Sequence, residues 1–411
     1  MSGSELSYET LQWNFIFEIE YISNIGRNMF ICPFVGRTRS SILFYHITCI
    51  LLLMTSLQLL FALCTSGNWF DVINVAPNLG VCLMILIKYG KMHIWRDLYD
   101  QIIKHFRNEI WDVIADSSEH KFILNRYTST SRLIVRFEYY YTVILAVIID
   151  FFPRLIMYFE HELLGYEKHY YYPFDGWYPF DKIKWFYVVY IWEVMMTTLV
   201  LFIYVFVNMI HISFTRYICM EMKILSSSVE NLIKGGESRF INISRHVEET
   251  QCSIKHKLKF IIRRHQYLAN ITSDLNNVLG DAMVLTYIFG SVFICLTIFT
   301  ATVVNSVYSS VRYFSFFCSL LLEVFFQCII GQLLIDHSIK LERAIYFANW
   351  PVADNDTKKM ILIFLLRAQK SLTLTAKGYL TMNLETFGGV SSLHSIQLDT
   401  KHTAHQGHII K

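Results

Sequence analysis

Proline and glycine are scarce, 6 and 17 among 411 residues, which excludes a collagenous, linker-rich or low-complexity chain. Charge is scarce too. Only 17% of residues are Asp, Glu, Lys or Arg, and the net charge of +3 is too small to argue for nucleic acid. The nine cysteines (32, 49, 64, 82, 219, 252, 295, 318 and 328) form no CxxC pair, so a zinc cage is not expected. There is no P-loop, no dinucleotide-binding glycine pattern and no internal repeat. His161-Glu162 lacks the second histidine of a zinc-protease helix, and no serine sits in a nucleophile elbow. The sequence therefore points to no enzyme, no metal and no cofactor.

What the chain has is apolar length. Hydrophobic residues make up 54% of it. Six runs suit a bilayer core of about 30 Å: residues 41–63, 72–89, 139–158, 183–207, 283–304 and 313–335. The first 40 residues are mixed polar and aromatic, so no cleavable signal is expected and the first run reads as a retained span.

Lys and Arg fix an orientation. Arg27, Arg37 and Arg39 precede the first span, and residues 64–71 carry none. The segments 90–138 and 208–282 carry eight and ten, whereas 159–182 carries two and the turn before the last span only Arg312. The basic segments alternate, which places the N-terminus in the cytoplasm. The sequons at Asn242, Asn270 and Asn355 then lie inside and are expected to be unmodified. Apolar residues at helical spacing in 208–282 predict that spans four and five continue as helices into the cytoplasm, joined near Gly235-Gly236. Within the spans, Asp150 and Arg154 are four residues apart and are expected to pair. Glu193 and Glu323 are expected to face protein or water rather than lipid.

Residues 344–387 read AIYFANWPVADNDTKKMILIFLLRAQKSLTLTAKGYLTMNLETF. The order Tyr346, Trp350, Arg367-Ala-Gln369, Leu-Thr-Ala376 and Asn383-Leu-Glu385-Thr-Phe387 resembles the C-terminal signature of insect odorant receptors. PFDGWYPFD at 173–181 resembles moth members of that family. The resemblance implies an all-α, seven-helix membrane protein with a cytoplasmic N-terminus, an extracellular C-terminus and a split last helix. It implies an odorant-specific subunit of a ligand-gated, non-selective cation channel, assembled as a hetero-tetramer with a shared co-receptor in the plasma membrane of olfactory dendrites. Tyr346, Trp350, Arg367 and Gln369 would belong to a cytoplasmic anchor, and Asn383, Glu385 and Phe387 to the pore region. The matching division of the chain is a cytoplasmic segment 1–40, six spans over 41–335, an anchor region 336–376 and a pore-helix region with its tail, 377–411. The charged run 358–375 fits a helix below the membrane rather than a span.

The implied odorant pocket lies in the outer halves of spans two, three, four and six. Those halves are rich in aromatics and methionine, a lining suited to an apolar volatile. The candidates are Phe152, Met157, Tyr158, Tyr187, Tyr190, Met195, Phe314 and Phe317. An interfacial aromatic belt is the competing explanation for the same residues. After Phe387 the chain departs from the family: residues 388–411 are polar, with four histidines. On an altered-end reading the last helix is truncated and the subunit does not conduct; the rival is a polar pore helix shielded by neighbouring subunits. A gustatory receptor of the same fold is a further alternative, and a transporter would need inverted repeats that are not seen.

Overall fold

In a computed structural model, the structure describes residues 8–28, 39–67, 69–114, 117–163, 165, 170–233, 247–303 and 307–389. The expected joint at Gly235-Gly236, the sequon at Asn242 and the tail 390–411 lie outside the described residues. Among the described residues the main α-helices are, in order, α1 Tyr8–Asn28, α2 Arg39–Thr65, α3 Trp69–Ile94, α4 Arg96–Lys104, α5 Ser118–Tyr158, α6 Phe186–Glu230, α7 Val247–Val303, α8 Val307–Phe347 and α9 Asn355–Ala368. Six of them, α2, α3 and α5–α8, are long and apolar enough to cross a membrane. The chain is thus a multi-pass membrane protein.

Hydrocarbon, not water, surrounds the spans, and the burial pattern reflects it. On α2 a narrow face of Tyr45, Leu52 and Leu59 packs inward, while Leu43, Ile50, Leu57 and Phe61 point outward. An apolar outer face costs nothing against lipid, whereas an unpaired polar group there is costly. On the buried side the hydroxyls of Thr48, Thr55 and Ser56 are satisfied within the helix, donating to the carbonyls four residues earlier at 2.8–2.9 Å.

α6 is the central pillar, flanked by α5 and α8. From Ile203 to Val229 most of its residues are buried, and a helix apolar on every side belongs in a core. Its lower half lies in the end of the bundle where α5–α8 extend beyond their apolar windows, here termed the extension end. There, α1 packs Phe15 against Tyr217 and Trp111, with ring centroids 5.1 and 5.9 Å apart. Buried Glu221 accepts from Arg264 Nε at 2.8 Å and meets His105 Nε2 at 2.9 Å. A carboxylate with no exposure is thereby held by α7 and by the turn after α4, as a buried charge requires.

At the extension end, α9 starts at an Asp354 cap whose carboxylate accepts the Thr357 N–H at 3.1 Å. The helix stops at Ala368, which corrects the expected helix over 358–375. Beyond it, Leu372, Leu374 and Ala376 are buried and alternate with half-buried neighbours, a period of two rather than 3.6. The strands β1 Thr375–Ala376 and β2 Leu380–Thr381 pair antiparallel. Three residues, Lys377–Tyr379, connect them, and Lys377 and Gly378 both have positive φ, 51° and 78°, the left-handed region that a tight reversal uses.

The hairpin is bound into the bundle through polar contacts. Asn276 of α7 donates to the Thr373 carbonyl at 2.7 Å and accepts from the Thr375 N–H at 2.9 Å. Ser338 of α8 accepts the Leu372 N–H at 3.0 Å. Asp281 of α7 pairs with both Lys377 and Lys91. The closest approach is at Gly331 of α8, where a Cβ would overlap the Met382 carbonyl. Gly331→Ala is therefore expected to lower stability by about 1–3 kcal/mol through overpacking. Gly90→Ala, with nothing within 4 Å of the added carbon, is expected to leave it unchanged. Thermal melts of the two purified variants in detergent check both.

Candidate functional site

Three cavities follow one another through the interior. The outermost encloses about 460 Å³ of unfilled space, part of it open, between α2, α3, α5, α6 and α8. Pro173 and Phe174, from the loop joining α5 to α6, also line it, so this loop forms one of its walls. The middle cavity encloses about 670 Å³ and adds α7, through Thr286, Phe289, Gly290 and Phe293. The two share Val81, Ile149, Leu201 and Phe316. The inner cavity, about 520 Å³, touches the middle one at Glu323 and reaches Leu374 of the hairpin.

The loop is held by a carboxylate. Glu193 of α6 has no exposure and accepts the N–H groups of Phe174, Asp175 and Gly176 and the hydroxyl of Tyr178, each at 3.1 Å. Burial and the Glu193 charge together raise the Tyr178 pKa, which keeps the phenol a donor. Asp175 adopts a positive φ of 57°, and Lys182 Nζ ties its side chain at 2.6 Å. The expected inward orientation of Glu193 is what the structure has, and its task is to fasten the loop beside the outer cavity.

The outer and middle cavities are apolar with few polar atoms. Thr197 Oγ1 is buried in the outer cavity with no hydrogen-bond partner among the described residues. At the lower end of the middle cavity Glu323 accepts from Lys88 Nζ and Asn208 Nδ2, both at 2.7 Å, and also from Tyr204 and Gln327. Lys88 and Glu323 are both buried, so the pair neutralises charge at span depth.

None of the eight sequence candidates is among the residues that line these three cavities. Tyr158, Tyr187, Met195 and Phe314 are 60–66% exposed on the outside of the chain. Met157 and Tyr190 join an aromatic cluster with Tyr172, Phe186 and Val189 next to the loop, and the Tyr171 N–H reaches Met157 Sδ at 3.3 Å. Phe152 is half-buried, and Phe317 packs partly into the core. Their neighbours Met196 and Phe316 do face the outer cavity. Asp150 and Arg154 do not pair, contrary to expectation. Asp150 is buried and accepts from Thr198 Oγ1 at 2.8 Å, while Arg154 lies outside over the rings of Tyr187 and Phe186, at 5.2 and 5.7 Å. Thr198 on α6 satisfies the acid more directly than a surface cation can.

Of the signature residues, Asn383 caps a helical turn over 384–389, its Oδ1 accepting the Thr386 N–H at 2.8 Å. Phe387 meets the Phe325 ring on α8 at 5.3 Å, and Glu385 is exposed. Trp350 Nε1 donates to the Tyr346 carbonyl at 3.3 Å, and Arg367 to that of Lys370 at 3.4 Å. Tyr346, Arg367 and Gln369 themselves are exposed.

The fold and cavities can now be set beside known proteins. Residues 68–393 match the family model described as 7tm Odorant receptor, and the chain belongs to that family. Odorant receptor 85f of Drosophila melanogaster is 27% identical over 160 residues, 38% of this chain and 41% of that protein. Odorant receptor 49a of the same insect is 29% identical over 147 residues, 36% of each. The odorant receptor coreceptor of Anopheles gambiae is 24% identical over 138 residues, 33% of this chain and 29% of that one. The matches thus span about two fifths or less of these relatives' lengths. The insect olfactory receptor OR5 of Machilis hrabei, solved alone and with eugenol, superposes with a TM-score of 0.75 in both forms at 15% identity. The first of these covers 94% of this chain and 98% of that one, so the two share a fold.

Glu193→Ala removes the acceptor of four loop donors and is expected to destabilise the protein by a few kcal/mol. Amide hydrogens of residues 174–176 should exchange much faster in the variant, and hydrogen-exchange mass spectrometry reads this directly.

Proposed function

We propose that this chain is the odorant-recognising subunit of a ligand-gated, non-selective cation channel. It assembles with the odorant receptor co-receptor as a hetero-tetramer in the plasma membrane of olfactory dendrites. The observation that carries this is the pair of joined apolar cavities beside a loop that Glu193 fastens. An apolar volatile gains affinity by filling such a space, and an unpartnered hydroxyl such as Thr197 can orient its one polar group. The family supports the same reading, as does the fold shared with a receptor solved with eugenol. The relatives are odorant receptors and coreceptors, which does not favour the gustatory alternative.

Assembly needs a surface. α9 exposes Leu362, Ile363 and Leu366, and the end of α8 exposes Tyr346 and Phe347. An apolar patch on a projecting helical end calls for a partner, and we assign it to the subunit interface. Ile363→Asp with Leu366→Asp is expected to cut co-purification with the co-receptor at least tenfold, while single-chain expression persists.

The cavity makes a separate prediction. Leu201→Phe narrows the space shared by the outer and middle cavities, and it is expected to raise the odorant concentration for half-maximal current at least tenfold without loss of surface delivery. Tyr187→Ala alters a side chain outside the cavities and is expected to leave the dose–response unchanged. Currents recorded from cells expressing each variant with the co-receptor, against an odorant panel, decide between cavity and belt. The cytoplasmic N-terminus is part of the proposal. Asn270 and Asn355 are exposed sequons at the extension end and should show no glycosidase-sensitive mass.

A further inference from the structure

A fourth cavity lies apart from the other three, at the extension end between α5, α6 and α8, with about 1260 Å³ of unfilled space, part of it open. Arg126 and Tyr127 of α5, Arg216 and Lys223 of α6, and His337 and Lys340 of α8 line it. His337 Nδ1 lies 2.6 Å from the Leu333 carbonyl and Nε2 meets the Tyr127 hydroxyl, so the ring is fixed by two hydrogen bonds and is not counted as a charge. The four cations face one lining carboxylate, Glu119, which already accepts from Asn231 at 3.4 Å. Asp336 lies beside the cleft and accepts from Gln332 at 2.8 Å. None of the four cations has a carboxylate within ion-pair distance among the described residues.

Arg216 is the unusual member. Its side chain is nine-tenths buried, yet its partners are the Ser131 hydroxyl at 2.9 Å from Nε and the Tyr127 ring at 5.8 Å, both neutral. A buried guanidinium without an anion is costly, and a fork of free N–H groups facing a cleft matches phosphate oxygens.

The same cleft opens onto an apolar track. Phe122, Leu133, Phe137, Tyr140 and Ile144 of α5 are each at least half exposed. Counted from Phe122, their spacings are close to whole multiples of a helical turn, so they form one stripe, and Arg126 lies on it. From Leu133 to Ile144 the stripe runs about 16 Å, close to half the bilayer's hydrocarbon thickness. A free phosphate has no use for such a stripe, but an acyl chain does.

We propose that this cleft binds the headgroup of a phosphoinositide, with Arg216, Arg126, Lys223 and Lys340 taking the phosphates and the α5 stripe taking the acyl chains. Basic pockets between spans on the cytoplasmic side hold such headgroups. The proposal goes beyond odorant recognition and rests on the cytoplasmic placement of the extension end. A nanodisc offers lipid to both faces, so its outcome is separate from the orientation and from the odorant cavity.

The test uses the full chain assembled with the co-receptor in phosphatidylcholine nanodiscs, with and without phosphatidylinositol 4,5-bisphosphate. Bound lipid is read by native mass spectrometry and by titration of a fluorescent analogue. Lys223→Gln with Lys340→Gln is expected to weaken binding roughly thirtyfold, from about 1 kcal/mol per basic residue. Lys359→Gln, an exposed lysine on α9, is expected to leave it unchanged. Equal affinity in wild type and the double variant overturns the site, as does the absence of bound phosphoinositide. Displacement of the lipid by an equal concentration of soluble inositol 1,4,5-trisphosphate overturns the lipid assignment in favour of a free phosphate.

Discussion

Lys88 and Glu323 meet at the junction of the middle and inner cavities, and much of the interior is arranged around them. Each alone would be a charge stranded at span depth. Together they form a 2.7 Å pair with an Asn208 amide and a Tyr204 hydroxyl completing the carboxylate's shell. Desolvation makes such a pair a poor source of net stability, but removing one partner would leave the other uncompensated, a loss of about 3–5 kcal/mol. The pair therefore sets register more than it adds strength. It fixes α3 and α6 against α8 at the boundary between the middle and inner cavities.

That boundary makes α8 the element through which the cavities and the hairpin are mechanically joined. Its upper part supplies Phe316, Ser319, Leu320 and Glu323 to the middle cavity. Its lower part supplies the Gly331 seat and the Ser338 acceptor to the hairpin, and Phe325 touches Phe387 in the helical turn that follows. A continuous helix transmits a shift along its axis better than a chain of side chains does. A ligand that preferred one position of α8 would bias the hairpin and the following turn by the difference in its affinity for the two positions, and by no more.

The spans were legible because apolar runs of bilayer length have few other meanings, and the C-terminal signature was legible because its residues keep their order. The cavity was not. Tyr158, Tyr187, Met195 and Phe314 are conspicuous because they are aromatic or soft and sit near span ends, which is also where an interfacial belt would put them. The residues that do line the space, such as Val81, Ile149 and Leu201, are ordinary aliphatics, distinguished only by how the helices rotate. Asp150 and Arg154 make the same point: spacing along one helix says which side chains are neighbours, while Thr198 on another helix decides the bond. The hairpin was different. Its alternation at 372, 374 and 376 is too short to stand out, and the apolar run leading into it reads as one longer helix.

Charge placement along α6 draws these threads together. Glu193 near one end is satisfied by backbone N–H groups, and Glu221 near the other by Arg264 and His105. Asn208, between them, belongs to the Lys88–Glu323 network. Each of these polar side chains is paired with a different element, so α6 cannot slide or rotate without breaking several buried contacts at once. Arg216 alone breaks the pattern, holding a full charge against neutral neighbours on the wall of an open cleft. In a helix whose other buried charges are all matched, an unmatched one is best explained by a partner that comes from outside the chain.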